Sequence, residues 1–147
     1  MLIIAAAPDV NVSNLIELIG ESSCDFTVLS LQEWQQIALQ PQGFIYIKVM
    51  PEISFKRLRQ TKSDCTLEQI YAVTKDLENY FVHKISMPQE LHSVPILILN
   101  GFVDFETDLS QFYNHLFYIK KFFNEIKEKE NKEKGIVIRK KHKGCKC

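Results

Sequence analysis

Glycine and proline each occur only five times in 147 residues, too few for a collagen-like repeat, a glycine-rich linker or a proline-rich extended segment. Cysteine is also scarce: Cys24, Cys65, Cys145 and Cys147 are too scattered for a disulfide framework, and a reducing, cytoplasmic setting is expected. Long hydrophobic runs are missing. The apolar opening Met1–Ala7 lacks a basic leader and is far too short for a signal peptide or a membrane span, so a soluble chain with no membrane partner is expected. Neither sign of charge is in excess, with 18 basic and 18 acidic side chains. What is present is apolar substance: 46% hydrophobic and 11% aromatic residues, enough for one domain with a real core.

The balanced charge conceals a division. Residues 127–147 hold nine Lys/Arg and three Glu, a net of +6, which leaves −6 on residues 1–126. The chain therefore reads as a mildly acidic α/β domain over 1–126 and a basic, flexible tail over 127–147. Such a tail either meets an anionic partner or simply solvates the end of a helix.

Along the domain, strands and helices alternate. Leu2–Ala7 is a short apolar run ended by Pro8-Asp9, as in a buried strand leading into a turn. Leu15, Ile16, Leu18 and Ile19 follow with helical spacing, and Gly20 is expected to close that helix. Phe26–Leu29 is a second strand, and a short helix around Trp34 and Ile37 ends before Pro41. Gly43 opens the strand Phe44–Val49. Pro51 fits a first helical position, with Phe55 and Leu58 as the apolar face. Thr66-Leu67-Glu68-Gln69 has capping-box form, followed by an apolar stripe of Leu67, Ile70, Val73, Leu77 and Phe81. Val94–Leu99 is a further strand whose proline lies at its start. A last helix from near Thr107 carries Leu109, Phe112, Tyr113, Leu116, Phe117, Phe123 and Ile126. Ile136–Ile138 has the composition of one more short strand. Because the strands are continuous apolar runs, they predict a parallel sheet of about four strands covered on both faces, a small three-layer domain.

In such folds ligands bind beyond the carboxyl ends of the strands. The first loop there, Ala7–Asn14, has neither glycine nor lysine, and Asp9 places negative charge where a phosphate would go. The second, Lys56–Lys62, has four cations in seven residues, which suit either a phosphate clamp or a solvated helix face. Cys65 reads as a small packing residue. His83, His92 and His115 show no metal spacing. His142, Cys145 and Cys147 offer a soft-metal set that lacks a fourth ligand, so no metal site is expected.

From Gly43 onward the chain resembles the carboxyl-terminal half of the deoxynucleoside kinases, the group that includes deoxycytidine, deoxyguanosine and mitochondrial-type thymidine kinases. The resemblance rests on Gly43–Ile47, Pro51-Glu52 and Arg57-Leu58, then Glu78-Asn79-Tyr80, the strand Val94–Leu99 and Asp104-Phe105, and covers about Pro41 to Phe123. Residues 7–14 and 26–35 align with the family's phosphate loop and its strand ending in Glu-Pro. The resemblance implies a P-loop-kinase-like sheet, here closed up to strand order 2-1-3-4 because the family's long central section is absent.

It also implies roles. Arg57, Arg59 and Lys62 fall at the lid, Ser13 at the hydroxyl beside Mg²⁺, and Asn100, Gly101, Asp104 and Phe105 at the adenine-side loop. Asp9 and Asn11 stand where the family has loop glycines, Val12 where it has the phosphate-binding lysine, and Leu29 where it has the general-base glutamate. Phosphoryl transfer depends on positioning and charge stabilisation of the phosphates, so these replacements remove most of the means of catalysis. The expectation is a degenerate deoxynucleoside-kinase-like protein without efficient 5′-phosphorylation, serving as a binding or assembly module, with a homodimer or another protein as partner and no nucleic acid. The alternative is a kinase with residual or altered phosphotransfer, which would use ATP, Mg²⁺ and a deoxynucleoside.

Overall fold

In the computed structural model, residues 1–22, 26–37, 39–61, 63–101 and 109–133 are described. Four strands, β1 (Leu2–Ala6), β2 (Val28–Ser30), β3 (Gly43–Lys48) and β4 (Ile96–Asn100), form one sheet in the order β2-β1-β3-β4. All three strand pairs are parallel, so the expected α/β class and strand order 2-1-3-4 are what the chain adopts. Between the strands lie α1 (Val12–Ser22), α2 (Leu31–Ile37), α3 (Pro51–Gln60) and α4 (Leu67–Phe81), and α5 (Leu109–Glu133) follows β4.

Alternation along the strands builds the two cores. Leu2, Ile4, Ile45, Ile47 and Leu99 pack against Leu15 and Ile19 of α1 and against Phe112, Leu116, Ile119, Phe123 and Ile126 of α5. Ile3, Ala5, Phe44 and Tyr46 face the other way, onto Trp34 of α2 and Phe81 of α4. The two-residue period thus sends successive apolar side chains into opposite layers, which is why each strand must be apolar throughout. Gly43 is required by a close approach: a Cβ there would lie 2.8 Å from Ile126 Cδ1 and 2.9 Å from Phe122 Cε2.

Local chemistry sets the element ends. Thr66 caps α4, its side chain accepting from the Gln69 amide at 3.2 Å while Gln69 Oε1 accepts from the Thr66 amide at 2.9 Å, so the capping box forms as expected. Ser30 opens α2: its hydroxyl oxygen accepts from the Glu33 amide at 3.1 Å and its O–H donates to the Glu33 carboxylate at 3.1 Å. The far end of α2 is held by the Trp34 indole N–H, which donates to the Leu39 carbonyl at 2.6 Å. Three expectations are corrected. Gly20 does not close α1, which runs on to Ser22; a glycine on an exposed helical turn costs only about 1 kcal/mol and does not by itself end a helix. On α3 the fully buried residue is Ser54, with Phe55 and Leu58 half-buried. On α4 the inward stripe is Ile70, Thr74 and Phe81, with Leu77 half-buried and Val73 exposed, because the helix presents a narrower face to the sheet than its apolar content suggests.

The last helix, α5, carries the chain past Ile126 to Glu133. Ile136–Ile138 and the rest of the basic segment lie outside the described residues, as does Cys24. Cys65 is half-buried and unbridged. Among the described residues no helix is long and apolar enough to cross a membrane.

Candidate functional site

The chain leaves β1 for β2 on one side and leaves β3 for β4 on the other, so the connections diverge at the carboxyl ends of β1 and β3. Such a topological switch point opens a crevice, the usual ligand position of this class of sheet. Here the crevice contains an internal polar cluster. Asp9, in the turn after β1, has a side chain only 2% exposed. Its Oδ2 accepts from Arg57 Nη1 at 2.8 Å and its Oδ1 accepts from the hydroxyl of fully buried Ser54 at 2.5 Å. The same Arg57 nitrogen donates to the Gly101 carbonyl, beyond β4, at 2.9 Å. One guanidinium therefore ties together the ends of three strands' connections.

Each participant is positioned by its element. Ser54 and Arg57 are one helical turn apart on α3, whose start is fixed by Pro51. Gly101 closes on β3 through its amide, which donates to the Lys48 carbonyl at 2.9 Å. No side chain fits there, since a Cβ would lie 2.7 Å from Ile47 Cγ2 and 2.9 Å from Val49 Cγ2. Asp9 is held in a turn in which the Val10 amide donates to the Ala7 carbonyl at 3.0 Å.

The amino end of α1, the natural anion site beside that turn, is also engaged. Asn11 Oδ1 accepts from the Asn14 amide at 3.0 Å, so the helix supplies its own cap. Ser13 projects from the first turn as an exposed side chain. Among the lid candidates, Arg57 is turned inward onto Asp9, whereas Arg59 points away, its guanidinium 5.4 Å from the centre of the Phe55 ring. Asn100 ends β4 as an exposed residue. Lys62, Asp104 and Phe105 lie outside the described residues, as do His142, Cys145 and Cys147. Among the described residues no group of three or more His, Cys, Asp or Glu side chains is placed to hold a metal ion.

Sequence reasoning located Asp9 as misplaced negative charge and Arg57 as a lid cation but did not pair them. It missed Ser54 altogether. The available signal was a serine three residues before an arginine on a helix that must lie against the sheet.

Under α4, Tyr46 stacks on Phe81 with ring centres 5.5 Å apart. Its hydroxyl is buried without a hydrogen-bond partner, and burial, reinforced by the Glu78 carboxylate, pushes its pKa up to about 12. Glu78 itself pairs with Lys48 at 3.3 Å on the surface. Burial also raises the Tyr80 phenol. Tyr80 lines a cleft of about 460 Å³ with Trp34, Leu39, Gln40, Pro88 and Glu90. A second hollow of about 320 Å³, with Val73, Asp76 and Leu77 in its wall, shares Gln35, Tyr80 and Ser86 with the first, so the two form one groove between α2 and α4.

No model of a known protein family matches the chain, and no curated protein matches it.

Proposed function

We propose that this chain is a degenerate deoxynucleoside-kinase-like protein that has exchanged its phosphate site for an internal ion pair and serves as a binding or assembly module. The observation that carries this reading is the Asp9 carboxylate, 2% exposed, at the carboxyl end of β1 and bonded to the one lid arginine that faces the crevice. A triphosphate entering there meets a buried negative charge, loses the helix-end donor already used by Asn11, and must draw Arg57 away from two oxygen partners. Removing one partner of a buried charge pair costs about 3–5 kcal/mol, a penalty that a weak anion contact does not repay. Val12, at the position of the phosphate-binding lysine, supplies no compensating charge.

The test is a thermal-shift panel of ATP and deoxynucleoside triphosphates with and without Mg²⁺, alongside thymidine, deoxycytidine and the purine deoxynucleosides. Unchanged melting across the panel is expected. A Mg²⁺-dependent rise with a triphosphate, together with nucleoside phosphorylation that disappears in Arg57→Ala, would overturn the proposal.

The alternative, residual phosphotransfer with ATP and Mg²⁺, has one observation in its favour. The Arg57 side chain keeps 20% exposure at the carboxyl end of the sheet, where it can meet an incoming anion. Asp9→Asn separates the two readings. It frees Arg57 from the carboxylate and is expected to raise triphosphate affinity if the pair merely gates a working site, and to leave binding absent if the site is lost.

A further inference from the structure

We propose that the outer face of α5 in one copy docks in the groove between α2 and α4 of a second copy, so that the chains assemble head to tail. Phe117 enters the larger hollow of the groove, Tyr113 the smaller one, and Lys121 pairs with Glu90 at the rim.

The first observation is the face that α5 leaves uncovered. Phe112, Leu116, Ile119, Phe123 and Ile126 are buried against the sheet. Tyr113 and Phe117 lie one turn apart on the other side of the helix, 60% and 63% exposed. The next turn carries Lys120 and Lys121. Lys120 Nζ reaches back to the Ser22 carbonyl at 3.3 Å, and Lys121 is the more exposed of the two. Two aromatic anchors four residues apart, with a cation four residues further on, have the spacing by which a helix reads a groove.

The second is the chemistry of the groove. Its walls are apolar and aromatic, with Leu39 and Val73 exposed at its margins. The charged residues that line it, Asp76 and Glu90, are both acidic, one in each hollow. A helix running in the direction of α4 sets Tyr113 beside Asp76, where its hydroxyl can donate to the carboxylate, Phe117 beside Tyr80, and Lys121 beside Glu90. Aromatic meets apolar and cation meets anion in one register.

The third is where the two surfaces lie. The helix α5 covers one face of the sheet, whereas α2 and α4 cover the other, so the surfaces look outward in opposite directions. No chain can therefore fill its own groove with its own α5. The contact is heterologous: each copy offers both surfaces, and assembly proceeds to a ring or an open chain rather than stopping at a dimer. Pairing groove to groove would instead bring the Asp76 and Glu90 carboxylates of two copies together, a like-charge contact.

The proposal rests on the assembly-module reading above and names the partner. Its failure is separable from that of the lost phosphate site, because a monomer that ignores nucleotides refutes self-assembly alone. Sedimentation of the full chain across a roughly hundredfold concentration range is expected to show a mass that climbs beyond the dimer. Leu39→Lys/Glu90→Lys spoils the groove and Phe117→Ser/Lys121→Glu spoils the helix face. All four positions are exposed, and unchanged melting temperatures show that the fold is kept. Each variant alone is expected to lose assembly, and an equimolar mixture of the two to form a heterodimer and nothing larger, through the one intact helix face and the one intact groove. In an equimolar mixture of ordinary and isotope-labelled parent, zero-length carbodiimide coupling is expected to join Glu90 to Lys121 in peptides that combine both labels. A parent that stays monomeric overturns the proposal, as do variants that assemble like the parent. A groove variant that still dimerises also overturns it, by assigning α5 to pairing with another α5, and so does a mixture of the two variants that stays monomeric.

Discussion

Arg57 and Asp9, 48 positions apart in the chain, meet at 2.8 Å where the connections from β1 and β3 part, and Ser54 completes the carboxylate's partners from beneath. With the carboxylate buried and the guanidinium turned inward onto it, the pair is a structural element of the domain. A change on either side therefore registers in folding before it registers in any binding assay.

Arg57→Met is expected to destabilise the protein by about 3–5 kcal/mol, because the Asp9 carboxylate is left buried with Ser54 as its remaining side-chain donor. The double variant Asp9→Leu/Arg57→Met is expected to recover much of that loss. Urea unfolding of the two single variants and the double variant supplies the coupling energy, and additive effects would deny the pair its structural role. The surface pair Lys48–Glu78 is the contrast: its side chains are 48% and 31% exposed, and Glu78→Gln is expected to change stability by about 0–1 kcal/mol.

At Gly101 an alanine has no room. Its Cβ would press on Ile47 and Val49, side chains fixed in the sheet, and would move the carbonyl that Arg57 binds. Overpacking of this kind costs about 1–3 kcal/mol. The effect should be partly shared with Arg57→Met in a double-mutant cycle, whereas Gly20→Ala, with nothing within 4 Å of its Cβ and a helical backbone, is expected to be neutral or stabilising.

Tyr46 predicts an alkaline dependence. Its pKa in the folded protein, about 12, is above the ordinary tyrosine value near 10, so between those values the folded state holds a proton that the unfolded state releases. Stability from this group is complete below pH 10 and declines as pH rises toward 12. Tyr46→Phe, which removes a buried hydroxyl lacking a partner, is expected to flatten that part of the profile relative to the parent and to stabilise the protein at neutral pH by up to about 1 kcal/mol. Paired denaturation series from pH 7 to the alkaline limit measure the difference.

Thr66→Ala is expected to cost about 1 kcal/mol by leaving the Gln69 amide without its acceptor. Thr66→Ser should keep nearly all of it. Thermal melts of the two variants check the capping box directly.

The architecture was legible because strands buried on both faces must be apolar throughout, and Leu2–Ala6 and Gly43–Lys48 are. The helix ends written in hydroxyl and proline chemistry, Thr66 and Pro51, were equally plain. The site was harder to see, for a definite reason. Asp9 and Arg57 carry no spacing that links them; they meet only because β1 and β3 are neighbours and α3 turns back over their ends. Val73 misled for a related reason, since periodicity ranks positions around a helix without saying how wide a face the sheet will cover. The groove between α2 and α4 is a product of how two helices lean together and had no linear signature.

β1 pairs with β2 on one flank and β3 on the other, so one of the two interior strands of the sheet is also the first of the four to be synthesised. At roughly 5–20 residues per second, about 2–8 seconds separate its synthesis from that of β3. Until β3 is made, Leu2–Ala6 keeps at least one edge unpaired, because β2 covers only the other. Synonymous changes that slow translation between codons 7 and 48 should therefore reduce soluble yield more than the same delays placed after β3.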